Sequence, residues 1–95
     1  MPNASHRPHQ DLLTKLGENV RRLRQKRGYT QEQLAELVEV HPRMIQQIEY
    51  GQTNILATTA MRLRAAFECE WTDLMPGVEI PAVVRKRVGN GRVRR

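Results

Sequence analysis

Three polar side chains stand close together in the segment Pro42-Arg43-Met44-Ile45-Gln46-Gln47-Ile48-Glu49-Tyr50. On a helix Met44, Ile45 and Ile48 would share the inward face, leaving Arg43, Gln46 and Gln47 pointing out. Arginine can pair two hydrogen bonds with a guanine edge, and glutamine with an adenine edge. The same residue types also serve simply to keep an exposed helix soluble, so their meaning depends on what holds that helix. Other reactive groups do not converge. The single cysteine, Cys69, has no second thiol for a disulfide or a cysteine-rich zinc site, and reads as a small buried hydrophobe. His6 and His9 fall near the N-terminus and His41 is alone. There is no glycine-rich phosphate loop, no pair of histidines at metal spacing, and no Ser or Cys beside an evident base. The reading is of a chain that is not an enzyme and takes no metal or cofactor.

The elements that would position Arg43, Gln46 and Gln47 are legible on both sides. Leu12, Leu13, Leu16, Val20 and Leu23 recur at spacings of three and four, predicting an amphipathic helix from Asp11 as N-cap to Gly28 as its terminator. The cations Arg21, Arg22, Arg24, Lys26 and Arg27 in its last turns suit the negative end of the helix dipole. Next, Thr30 and Gln33 have the spacing of a capping box, and Tyr29 can staple onto Leu34. A second helix therefore starts at Gln31 and buries Leu34, Ala35 and Val38. His41-Pro42 restarts the chain with His41 as N-cap and proline at the first helical position, and Gly51 ends that third helix. A fourth helix, from about Leu56 to Phe67, is expected to bury Leu56, Ala60, Leu63 and Phe67. A last turn around Trp71 to Met75 stops at Pro76-Gly77. Two helices of about eight residues joined by the short turn Glu39-Val40-His41 meet the mechanical requirement of a helix-turn-helix.

Length and charge set the frame. Ninety-five residues suffice for one core with tails and not for two. The expected organisation is a flexible arm over 1–10, a helical domain over 11–75, and a basic tail over 76–95. The net charge of +6 is mostly a property of the tail, where Arg85, Lys86, Arg87, Arg92, Arg94 and Arg95 face one acid, Glu79. Its β-branched residues and Gly89-Asn90-Gly91 also leave room for a weak hairpin or a dimer-edge strand. No apolar run is long enough to span a membrane and there is no signal-peptide core, so a cytoplasmic location is expected.

The string Leu23-Arg24, Gly28-Tyr29-Thr30-Gln31, Leu34-Ala35, Val40, Ile45, Ile48-Glu49-Tyr50-Gly51 resembles the lambdoid repressor and Cro-like (XRE) family of helix-turn-helix proteins. Asn54, Thr59, Arg62, Leu63, Ala66 and Leu74 also fit, so the likeness runs from about Leu16 to Leu74. It implies an all-α, compact five-helix bundle of the lambda-repressor type. It further implies binding to double-stranded DNA as a transcriptional regulator, with repression the favoured mode. Base reading would fall to the positions of Pro42, Arg43, Gln46 and Gln47, with the weight on Arg43 and Gln47 because proline has no donor. Phosphates would be held by Gln31, Tyr50, Gln52 and Asn54, and by His41 if its ring is charged. Arg24 and Glu49 match a partly buried ion pair between the first and third helices.

Five positions depart from the family pattern. Glu39 stands where glycine opens the turn, His41 replaces a Ser or Thr cap, Arg64 replaces a small apolar residue, and Ala57 and Ala60 replace larger ones. One recognition helix spans only about four base pairs, so a homodimer reading half-sites about 34 Å apart is expected. Trp71, Leu74 and Met75 are the candidate interface, with closure of the monomer core as the competing role for Trp71 and Leu74. The rival function is a protein-interaction module, such as an antitoxin or adaptor, whose tails bind a protein partner.

Overall fold

A computed structural model describes residues 8–77; the expectations placed on the first seven residues and on the tail beyond Gly77 lie outside them. The described chain is helical throughout, in the order α1 (Pro8–Arg27), α2 (Gln31–Val38), α3 (Pro42–Glu49), α4 (Ala57–Phe67) and α5 (Trp71–Leu74). The core is a single cluster to which every helix contributes: Leu16, Val20 and Leu23; Leu34, Ala35 and Val38; Ile45 and Ile48; Leu63 and Phe67; and Leu74. These are the residues that helical periodicity selects, and their apolar surface is what holds five short helices together.

Two boundaries differ from the sequence expectation. α1 begins at Pro8 rather than after Asp11, so residues 8–10 are helical. Asp11 lies in the first turn, where its charge favours the helix N-terminus without capping it. The extra turn has no apolar pattern to announce it, but the Gln10 side chain donates to the Gly51 carbonyl at 2.9 Å. At the other end, Leu56 is the N-cap residue of α4 and is 72% exposed. The expectation that it is buried is corrected, because an N-cap stands outside the helical face that Ala60, Leu63 and Phe67 turn inward.

Helix crossing depends on a residue with no signal in the apolar pattern. A Cβ at Gly17 would lie 2.7 Å from the Glu49 carbonyl oxygen and closer still to that of Ile48. Only glycine allows the backbones of α1 and α3 to approach this far. The capping box is formed as read: Gln33 N–H donates to Thr30 Oγ1 at 3.0 Å, and Thr30 N–H to Gln33 Oε1 at 2.9 Å. Tyr29 packs against the core and its hydroxyl donates to the Ala66 carbonyl at 3.3 Å, which ties the α1–α2 loop to α4.

Candidate nucleic-acid interface

The turn between α2 and α3 is closed by Glu39 in the left-handed conformation, at φ 61° and ψ 45°. A residue with a Cβ therefore holds the left-handed position at which the resemblance places glycine. The left-handed geometry satisfies α2's last carbonyls, with Glu39 N–H reaching Glu36 O and Val40 N–H reaching Ala35 O. The Glu39 carboxylate lies 3.8 Å from Arg62 on α4.

His41 then caps α3. Its Nδ1 accepts from the Arg43 N–H at 3.0 Å, which leaves the ring proton on Nε2. Nε2 is the ring nitrogen left over for a further contact. Pro42 takes the first helical position, where its missing N–H costs nothing. Ile45 and Ile48 lock α3 into the core, and Met44 is packed against it. Arg43 and Gln46 are exposed and Gln47 is half-exposed, so α3 turns the three polar side chains outward as its periodicity requires.

Below this helix lies the ion pair. Arg24 Nε meets Glu49 Oε2 at 2.6 Å and its Nη2 meets Glu49 Oε1 at 3.2 Å. The side chains are 13% and 3% exposed, so the pair is largely removed from water. Arg24 Nη1 also donates to the Tyr29 carbonyl at 3.0 Å. This fork joins α1, the α1–α2 loop and α3. Gln31, the first residue of α2, adds a fourth contact by donating from Nε2 to Glu49 Oε1 at 3.0 Å. After α3, Gly51 turns the chain at φ 70°. A Cβ there would meet Thr14 at 3.0 Å, so the loop lies directly on α1. Tyr50, Gln52 and Asn54 are exposed on that loop, while Asn54 Oδ1 accepts from Ile55 N–H at 2.9 Å.

Trp71 and Met75 are 41% and 39% exposed, whereas Leu74 is fully buried. Leu74 therefore closes the core of its own chain, while Trp71 and Met75 keep apolar surface exposed. The Arg64 guanidinium, which stands where a small apolar residue was expected, sits 5.3 Å from the centre of the Trp71 ring, a cation–π distance, while its Nε is buried without a hydrogen-bond partner. The two residues missing from the sequence reading are Gly17 and Gln10. A glycine inside a helical pattern does signal close approach, but which backbone approaches is visible only in three dimensions. Among the described residues no group of acidic, histidine or cysteine side chains is arranged to hold a metal, and no helix is long and apolar enough to cross a membrane.

A short α2, a left-handed turn and a capped α3 with an outward polar face together form a helix-turn-helix. The chain matches the family described as HTH_3: Helix-turn-helix over residues 20–74, and it belongs to that family of DNA-binding regulators. Among solved structures it is similar to the restriction-modification controller protein C.AhdI from Aeromonas hydrophila. That likeness has 32% identity and a TM-score of 0.63, and covers 66% of this chain and 96% of that one. A hypothetical transcription factor NHTF from Neisseria is 25% identical, with a TM-score of 0.65 over 85% of this chain and 88% of the other. An HTH_3 family transcriptional regulator from Vibrio cholerae shares the fold at 21% identity and TM-score 0.64, over 70% of this chain and 37% of that longer one. No curated protein sequence matches the chain significantly.

Proposed function

We propose that this protein is a sequence-specific transcriptional regulator that binds double-stranded DNA as a homodimer and represses by occupying promoter DNA in the cytoplasm. The observation that carries the reading is α3 itself: a helix fixed from below by Ile45 and Ile48, with Arg43, Gln46 and Gln47 presented together from its outer side. Laid in a major groove, its N-terminal half reads base edges through Arg43 and Gln47, with Gln46 beside them and Pro42 making apolar contact only. Gln31, His41 through Nε2–H, Tyr50, Gln52 and Asn54 surround that helix at its ends and hold the flanking phosphates. Trp71 and Met75 supply apolar surface for the second copy. The likeness to a controller protein over nearly its whole length supports a regulator rather than an interaction module.

The test is selection of sites from a random duplex library with the wild type and with Gln47→Ala. The expected outcome is a motif with two-fold symmetry for the wild type, and relaxed preference at one position in each half-site for the variant. A loss of about 1–3 kcal/mol of discrimination is expected at that position. Sequence-blind, salt-sensitive binding by both proteins would overturn base reading and turn attention to a protein partner.

A further inference from the structure

The Glu49 carboxylate has no direct part in the reading above, yet it touches a residue that does. Its Oε1 accepts from Arg24 Nη2 at 3.2 Å and from Gln31 Nε2 at 3.0 Å, while Oε2 accepts from Arg24 Nε at 2.6 Å. A carboxylate only accepts, so Gln31 must turn its amide nitrogen inward. That spends one amide hydrogen on Glu49. The other amide hydrogen remains, together with the backbone N–H of Gln31, which as the first residue of α2 has no partner within the helix. Both donors belong to the residue that opens α2, and the side chain carrying one of them is held at its far end.

From this geometry we infer that Glu49 is a positioning residue for phosphate binding: anchored by Arg24, it sets the Gln31 amide so that two N–H donors converge on one backbone phosphate of bound DNA. The inference rests on the DNA-binding reading and deepens it. An unanchored glutamine would have to be ordered at the moment of binding, which weakens each hydrogen bond it makes. Because α1, α2 and α3 all meet at this carboxylate, the phosphate clamp and the base-reading helix are fixed by the same group, which explains why Glu49 is far more buried than its position at the end of α3 requires.

Backbone contacts do not depend on sequence, so a mixed-sequence 30-bp duplex at low salt is a sufficient probe. The variants are Gln31→Ala, Glu49→Asp and the double variant, with Glu49→Asp keeping the charge for Arg24 while drawing the oxygen away from Gln31. Each single change is expected to weaken binding about three- to tenfold, and the double change no more than the worse single one. The same step would appear in the free protein as a shift of the Gln31 side-chain amide resonances in Glu49→Asp. Independent, multiplying losses, or an unshifted Gln31 amide, would overturn the inference. A wild type that binds no duplex, with the Gln31 amide still shifted by Glu49→Asp, would instead sink the DNA-binding reading and leave the anchoring of Gln31 standing.

Discussion

The Arg24–Glu49 pair is the most buried of the ion pairs among the described residues. Both charges are mostly withdrawn from water, so neither is tolerated alone. Arg24→Met is expected to cost about 3–5 kcal/mol, read as a shift in urea midpoint. Arg24→Met combined with Glu49→Leu should recover much of that loss, because no uncompensated charge remains. Cys69 is the other residue whose environment is informative. Partial burial, together with repulsion from Asp73 and Glu70, pushes its thiol above the ordinary thiol range against the opposing effect of Arg64. A raised value means the folded protein keeps the neutral thiol. Its contribution to stability is therefore complete below the unfolded thiol's range and is lost as pH rises through the folded value. Alkylation of the native protein should be slower than that of free cysteine at pH 8. Its rate should climb only above the pH at which free cysteine ionises, and a rate equal to that of free cysteine would contradict this.

At the scale of elements, the α2–α3 turn shows how local geometry and residue type can disagree. The left-handed conformation at Glu39 is one in which a Cβ is strained, and the side chain's compensation is an ion pair with Arg62 whose partners are 74% and 50% exposed. Pairs that exposed contribute little. Glu39→Gly is therefore expected to raise stability by about 0.5–1 kcal/mol, measured by thermal or urea unfolding. A loss of stability would mean that the contact to α4 outweighs the backbone strain. In this chain the carbonyls of α2 are satisfied with a glutamate in the left-handed position, Glu39 N–H reaching Glu36 O and Val40 N–H reaching Ala35 O.

For the whole molecule, the unburied apolar surface matters most. Trp71 and Met75 are both exposed and their backbones meet through Met75 N–H on the Trp71 carbonyl at 2.8 Å, with Met61 on α4 also 59% exposed. Trp71→Ala with Met75→Lys is expected to shift the protein toward monomer in sedimentation at micromolar concentration. Duplex affinity should fall with it, since two half-sites would no longer be engaged together, while helix content should be unchanged because Leu74 and not Trp71 closes the core. An unaltered sedimentation profile would place the interface elsewhere.

Much of this protein was decided by the sequence alone. The spacing of Leu16, Val20, Leu23, Leu34, Val38, Ile45, Ile48, Leu63 and Phe67 fixes which helix faces are buried. The Thr30–Gln33 box and His41-Pro42 fix where two helices start, since capping uses only neighbours in the chain. The outward set of Arg43, Gln46 and Gln47 follows from the same periodicity. What periodicity could not give was anything that depends on a distant partner or on backbone geometry. The first turn of α1 is held by a hydrogen bond from Gln10 to Gly51, forty-one residues on. The exposure of Leu56 depends on which residue becomes the cap. The close approach at Gly17 and the anchoring of Gln31 by Glu49 exist only once α1, α2 and α3 converge. Short-range rules write the helices, and the contacts between them, which place the site, are made by atoms that the chain brings together only on folding.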